Sequence, residues 1–402
     1  MGELSSTERN TVQRAGAEPM LDQVLAWSAV NSGSRNLGGL ERMADLLADA
    51  FSALPGVLRL ENPAPVDSVD STGKAINIAH GRHLHLTVRP TAPVQLLLTG
   101  HMDTVFGQDH AFQETRWLED GVLNGPGVAD MKGGLAVMLA ALKAVENSRS
   151  AERIGYEVVI NSDEEVGSPA SAKLLAQAAA GKRAALTYEP AALPDGTLAG
   201  ARPGSGNFSF VVRGRSAHAG RNPEDGRNAI VAASELALRL AMSKTPGLSI
   251  NPAKIDGGSP NNVVPDLAIL RVNMRPRTTD DQEIAARLIA KALDETAKQH
   301  DVFIEAHGGF GRPPKPLTEE AEALFNLVKQ AGADLGQAIS WQSSGGVCDG
   351  NNIAACGVPV VDTMGVRGGK IHSMEEFLIV ESLAERAALS ALTILRLAGE
   401  AA

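Results

Sequence analysis

Two short motifs gather metal-binding side chains among glycines. They are Gly100-His101-Met102-Asp103-Thr104-Val105 and Gly125-Pro126-Gly127-Val128-Ala129-Asp130-Met131-Lys132-Gly133-Gly134. Two acidic clusters follow, Asp163-Glu164-Glu165 and Tyr188-Glu189-Pro190, and a late histidine, His372, lies in Gly369-Lys370-Ile371-His372-Ser373. Imidazole nitrogens and carboxylate oxygens are the donors of two-metal hydrolytic sites, and these segments supply two histidines and three carboxylates for that purpose.

His101 and Asp103 are two residues apart, so on an extended backbone they face the same side. Asp103 is then placed to accept a hydrogen bond from the ring nitrogen of His101 that does not bind metal, which fixes the tautomer. Read alone, the same pair fits a capped turn with a solvated histidine. Asp130 lies in a glycine-rich loop before a helix, and its two oxygens can bridge cations about 3.5–4 Å apart. A phosphate cradle is the other reading of such a loop, but no Gly-x-x-x-x-Gly-Lys-Ser/Thr pattern occurs. Glu164 and Glu165 are neighbours beyond a strand end and point in different directions. One can bind metal while the other acts as general base on a water of lowered pKa. Alone they would pass for a solvated acidic turn. His80, His83 and His85 form the densest histidine cluster. They read as a surface strand, because no strand end bearing a carboxylate accompanies them.

The elements that must carry these residues follow from hydrophobic patterning. Continuous apolar runs at 95–99, 156–161 and 184–188 read as buried strands. They end directly in His101, in the Asp163–Glu165 cluster and in Glu189. Open α/β sheets place their sites at such carboxyl ends. Helical spacing marks 20–30, 40–54, 134–145 and 169–180. The alternation predicts an α/β fold with a doubly wound mixed sheet. After residue 204 the order changes to strand 207–213, helix 228–243, strand 267–274, helix 280–299 and strand 302–306. This predicts a small α+β, ferredoxin-like domain inserted at 204–316 between two parts of the larger domain, 1–203 and 317–402. Residues 1 to about 18 read as loosely attached.

The chain has 402 residues, 44% of them hydrophobic and 21% charged, as a globular protein with a large core requires. Its formal net charge of −10 argues against a nucleic-acid partner. Two cysteines, Cys348 and Cys356, exclude a disulfide framework or a cysteine-rich zinc knuckle. No apolar segment resembles a signal peptide or a membrane span, so a cytoplasmic protein with no membrane partner is expected.

These motifs, in this order, resemble the co-catalytic zinc metallopeptidase and deacylase family. That family includes carboxypeptidase G-type glutamate carboxypeptidases, acetylornithine deacetylase, succinyl-diaminopimelate desuccinylase and aminoacylase-1. The carboxypeptidase G-like branch is nearest, on His-Met-Asp-Thr-Val, Gly-Pro-Gly-Val-Ala-Asp and Tyr-Glu-Pro. The resemblance implies two Zn2+ per chain, with Co2+ or Mn2+ as substitutes. His101 and Glu189 would hold one metal and Glu165 and His372 the other, with Asp130 bridging. Glu164 would be the general base, Asp103 the partner of His101, and the Asp130–Met131 peptide bond would be cis. In the inserted domain, Gly214-Arg215-Ser216-Ala217-His218-Ala219-Gly220 resembles the segment whose histidine crosses a homodimer interface to the partner's oxyanion. The inserted domain would accordingly be the dimerisation domain. Asn262 and Arg275 match substrate-contacting positions, and Arg312 is a third candidate. A guanidinium grips a carboxylate through two parallel hydrogen bonds, which suits a substrate with a free C-terminal carboxylate.

The chain departs from the family's Gly-Gly-Gly-Thr/Ser-Asp loop, reading Ser344-Gly345-Gly346-Val347-Cys348-Asp349 instead. The expected activity is amide cleavage that releases a C-terminal amino acid, such as glutamate, from an N-acyl amino acid or short peptide. The alternatives are a biosynthetic N-acyl-amino-acid deacylase and a non-catalytic, metal-stabilised binding protein.

Overall fold

The structure, a computed structural model, describes residues 4–399. It divides into two compact units. The first runs from the N-terminal side to Ala64, then Ala79–Ala201, then from Leu317 to the C-terminal side, and the second comprises Pro65–Ile78 and Arg202–Pro316.

The first unit is built on a six-stranded mixed sheet. Its spatial order is Val57–Glu61, His83–Val88, Ile154–Asn161, Val94–His101, Ala184–Thr187 and Val360–Val361. The first two strands run antiparallel to their neighbours and the last four are mutually parallel. Alternate side chains serve opposite faces. Leu97, Val159, Ala185 and Val360 pack with the helices Ala172–Ala179 and Asp349–Ala354. Leu96, Leu98, Val158 and Ile160 face the other way, into a core shared with Gly133–Glu146 and Glu381–Leu397. Apolar residues continuous along the central strands therefore reflect helices on both faces, as a doubly wound sheet requires.

Gly133–Glu146 is apolar nearly all round because it is covered on all sides. It lies on the sheet and beneath Ser6–Gly16, Met20–Ser28 and Glu381–Leu397. Gly134 makes its close approach possible, since a Cβ there would stand 2.0 Å from the carbonyl oxygen of Tyr188.

The N-terminal segment corrects the expectation of loose attachment. Ser6–Gly16 is a helix opened by a capping box of Ser5 and Glu8. Glu8 also accepts from Arg396 Nε at 3.0 Å, and Arg396 reaches Asp334 at 2.8 Å. The docking partner lies almost 390 positions along the chain, so no local pattern signals it. The first three residues of that segment fall outside the described ones.

The second unit is an antiparallel sheet in the order Leu248–Gly257, Leu267–Pro276, Ser205–Arg213 and Phe303–Arg312. Ala229–Met242 and Thr279–His300 cover one face. The strand Leu248–Gly257 was not anticipated. It lies at the edge, contains Pro252 and shifts register between Pro252 and Lys254, as proline in a sheet demands.

The segment Pro65–Ile78 was also not expected to belong here. It forms a hairpin, Asp67–Val69 with Ala75–Asn77, whose Val69 packs on Val211 and Ile269. Arg271 ties it down by donating to the carbonyls of Val69 and Asp70 at 2.9 and 3.2 Å. The chain thus passes between units at 64/65, 78/79, 201/202 and 316/317 rather than through two linkers. Among the described residues no helix is long and apolar enough to cross a membrane.

Candidate metal centre

Three parallel strands deliver the first donors. His101 is the last residue of Val94–His101 and pairs in register with Asn161, the last of Ile154–Asn161. That strand leads into the 3-10 turn Glu164–Val166. Ala184–Thr187, on the other side of Val94–His101, leads to Glu189. Asp130 comes from the loop before Gly133–Glu146, where the Asp130–Met131 bond is cis, as the resemblance implied. His372 comes from the loop after Gly368–Gly369 with a φ of 62°, and Lys370 has a φ of 56°. Left-handed backbone at two non-glycine residues so close together is the sort of strain that concentrates at functional sites.

Asp130 is the centre of the arrangement. Its Oδ1 lies 3.1 Å from His101 Nε2 and its Oδ2 lies 3.4 Å from His372 Nε2. Each imidazole has a further carboxylate: Glu189 Oε2 stands 3.7 Å from His101 Nε2, and Glu165 Oε2 stands 3.1 Å from His372 Nε2. The ligand atoms of His101, Asp130 and Glu165 fall within 4.8 Å of one another, as do those of His101, Glu164 and Glu189. The structure therefore brings together all five expected ligands and Glu164.

The electrostatics fit a cationic occupant. Burial pushes Glu165 up to about 7, and the charge of Asp130 adds to the push. Burial also opposes ionisation of Asp130, yet hydrogen bonds from His101 and His372 hold it well below the usual carboxylate range. Asp130 and Glu165 raise His372 to about 11. His101 loses by burial but is carried well above its ordinary value by Glu189, Asp103 and Asp130. The carboxylates thus draw protons onto the imidazoles, and divalent cations would take the place of those protons. Glu165 Oε1 is buried with no hydrogen-bond partner, an acceptor that a cation would satisfy. Two histidines and two further carboxylates around a shared aspartate are a donor set that fits a dinuclear metal site.

Asp103 does more than the expectation held. His101 Nδ1 lies 2.9 Å from the backbone carbonyl of Asp103 and 3.4 Å from its carboxylate. The carbonyl is the closer acceptor, and it leaves Nε2 free to face Asp130. The carboxylate, fully buried, accepts from the amides of Glu164 and Glu165 at 3.1 and 3.2 Å and from Ser34 Oγ at 2.7 Å. It therefore anchors the acidic turn.

Several supporting residues were missed. Asp163, pushed by burial up to about 6, accepts from the amides of Ala170 and Ser171 and from Ser171 Oγ. Asn161 donates to Ser171 and to Asp349, and Ser168 donates to Asp349. Glu376 is fully buried against the Asp130 loop, where burial and the charge of Asp130 push it up to about 8. In sequence Asp163 stands out only as the first member of its acidic cluster, and the others are ordinary acidic or small polar residues.

The histidine cluster needs correction. His80 and His83 are buried, not on a surface strand. His83 Nδ1 accepts from the amide of Ser162 at 3.3 Å, and His85 pairs with Glu157 at 2.6 Å. The strand His83–Val88 lies inside the sheet, so both its edges are paired. Cys348 is also buried; it precedes Asp349–Ala354 and its thiol donates to Asp362 at 3.4 Å.

His218, Asn262, Arg275 and Arg312 belong to the second unit. His218 is exposed, and its Nδ1 accepts from the amides of Gly220 and Arg221 at 3.1 and 3.2 Å. In the neutral ring this assigns the proton to Nε2, which becomes a donor. Asn262 lies beside it, its carbonyl accepting from Ala219 at 2.9 Å. Arg275 is exposed on Leu267–Pro276, with Nε donating to Asn273 at 3.1 Å. Arg312 is buried in register with Ser205.

The chain is similar to several known proteins. Carboxypeptidase G2 of Pseudomonas sp. (strain RS-16) is 29% identical over 337 residues, which cover 81% of this chain and 79% of the relative. A succinyl-diaminopimelate desuccinylase of Pseudomonas syringae pv. syringae is 26% identical over 314 residues, covering 74% of this chain and 77% of the relative. The fold matches the crystal structure of a Staphylococcus aureus tripeptidase with a TM-score of 0.73 at 23% identity, over 96% of this chain and 98% of that one. Residues 97–396, from the strand that ends in His101 to the last helix, match the model of peptidase family M20/M25/M40, and the chain belongs to that family.

Proposed function

We propose that the chain is a two-metal amide hydrolase that releases a C-terminal amino acid, such as glutamate, from an N-acyl or peptidyl substrate. The observation that carries this reading is Asp130, whose two oxygens address two different imidazoles, each with its own second carboxylate. Zinc is the proposed metal, and cobalt or manganese suits the same donors. Bound cations would polarise the scissile carbonyl and ease deprotonation of water at neutral pH.

The chain's own groups do the rest. Glu164, held at the site by Asp103 through its amide, takes the proton from the attacking water and returns one to the leaving amine. His218, offering Nε2–H, stabilises the oxyanion, and by family likeness it does so in the partner of a homodimer. By family likeness Arg275 grips the substrate's free carboxylate, with Asn262 as a further polar contact. Burial of Arg312 favours a structural part for it over a substrate contact. The N-acyl-amino-acid deacylase reading shares this chemistry. Its support is the relative named as a desuccinylase.

The test is hydrolysis of a panel of N-acyl amino acids and dipeptides by zinc-loaded protein, with and without chelator. Glu164→Ala should retain its metal and lose about 100- to 10,000-fold in turnover, the usual range for a general base. Full activity in that variant would remove Glu164 from the mechanism. A wild-type protein that holds metal but turns over nothing in the panel would favour a binding role instead.

A further inference from the structure

We propose that Glu376 is the positioning residue that aims Asp130 at both imidazoles, an inference that rests on the two-metal reading above. Glu376 stands four positions after His372, immediately before the strand Phe377–Ile379. It is 0% exposed. Its Oε1 accepts from the amides of Ala129 and Asp130, both at 3.0 Å. Its backbone carbonyl accepts from Asn124 Nδ2 at 2.6 Å and from the amide of Gly125 at 3.4 Å. One residue thereby clasps both the start of the loop, at Asn124–Gly125, and the loop's functional end, at Ala129–Asp130.

Two amides converging on one oxygen fix the orientation of the Ala129–Asp130 peptide plane, and with it the direction in which the Asp130 side chain leaves the backbone. Asp130 must point one oxygen at His101 and the other at His372, so a small rotation there spoils both contacts together. The stretch that follows His372 is held to the same loop. Asn124 donates to the carbonyl of Met374 at 3.1 Å, so the segment from His372 to Glu376 is tied to the same loop. The register continues into the strands, where Phe377 pairs with Asn124. Ligands far apart in sequence are thereby held as one unit.

Packing alone does not explain a carboxylate at this position. Its second oxygen is buried with no hydrogen-bond partner, so the residue bears an uncompensated polar atom that leucine would not. The amides that Oε1 satisfies would otherwise be orphaned beside the ligand. Buried Lys132, on the same loop, supplies opposite charge nearby while donating to the carbonyl of Val30 at 3.0 Å.

The experiment uses the full chain, stripped of metal and titrated with Co2+, read by calorimetry and by the visible spectrum of bound cobalt. The variants are Glu376→Leu and Glu376→Gln. Leucine removes the acceptor and should weaken cobalt binding by about 10- to 100-fold, as for other residues that orient metal ligands. The cobalt spectrum should change as well. Glutamine keeps one carbonyl oxygen able to accept from both amides and should restore most of the affinity. Should the leucine variant fail to fold, Glu376→Asp replaces it, since the shorter side chain keeps the carboxyl group but withdraws the acceptor. Wild-type affinity and spectrum in the leucine or aspartate variant, with the wild type binding two ions, would overturn the role of Glu376 alone. A wild type that binds fewer than two ions at any concentration would overturn the two-metal reading and this proposal with it.

Discussion

Asp103→Asn is the sharpest test of how the acidic turn is held. The native carboxylate receives three hydrogen bonds in a fully buried position: Glu164 N at 3.1 Å on Oδ1, and Glu165 N at 3.2 Å and Ser34 Oγ at 2.7 Å on Oδ2. An asparagine has only one oxygen to offer. In its better orientation that oxygen keeps Glu165 and Ser34, and the new NH2 faces the amide of Glu164, donor against donor. One bond to a charged acceptor is lost, a deficit of about 1.5–3 kcal/mol, and an N–H is left buried and unpaired at about 1–3 kcal/mol more. The two retained bonds also weaken, because they lose their charge assistance. The total is about 2.5–6 kcal/mol, concentrated on the two residues that carry the general base and a metal ligand. The volume is unchanged, so no cavity confuses the reading. The assay pairs a denaturant midpoint on metal-free protein with kcat/KM and cobalt stoichiometry. The expected outcome is a clear loss of stability together with at least about a hundredfold loss of kcat/KM, equivalent to about 2.7 kcal/mol in the barrier. A variant within about 0.5 kcal/mol of wild type in stability and unchanged in kcat/KM would show that the turn is held by something else.

Two further outcomes follow from the packing. Gly134→Ala would place a Cβ 2.0 Å from the carbonyl of Tyr188, the residue before Glu189, so the helix or the ligand must move. A stability loss of about 3 kcal/mol and weakened cobalt binding are expected, and an unperturbed melting curve would refute the close-approach argument. For His83, burial lowers the imidazole to about 4, against about 6.5 when unfolded. Between those values the unfolded chain binds a proton that the folded chain refuses, so stability falls as the pH falls. Across the window this amounts to about 3 kcal/mol. Urea titrations of metal-free wild type and His83→Gln at pH 7 and pH 4 should show the wild type losing that much more, and equal losses would contradict it.

His101, Glu165 and Glu189 were legible because each follows a strand whose apolar run is continuous, and Asp130 and His372 because glycines flank their loops. His101, Asp130, Glu165, Glu189 and His372 come from five separate segments, and the order of motifs joins them better than any one motif does. The supports were not legible. Glu376 and Glu375 are adjacent and chemically alike, yet one is fully buried and the other exposed. Only the tertiary position of the Asp130 loop separates them. The buried His83 looked like a surface residue because the strands on either side of it arrive from elsewhere in the chain. The N-terminal helix was missed for the same reason, its anchor being Arg396. The strand Leu248–Gly257 was hidden by Pro252, which an edge position tolerates and a central one does not. Strand ends and glycine loops are local facts, whereas covering and docking depend on residues hundreds of positions away.

The order of the units along the chain has a consequence for synthesis. The second unit has its last residue at Pro316, whereas the first still lacks the strand Val360–Val361 and the helix Glu381–Leu397. That helix covers Gly133–Glu146, so a long apolar helix waits without its outer neighbour while more than two hundred further residues leave the ribosome. His372 and Glu376 also belong to this final stretch. A nascent chain therefore carries four of the five donors, His101, Asp130, Glu165 and Glu189, until His372 emerges. On the two-metal reading, the donor set is complete only once His372 has been made.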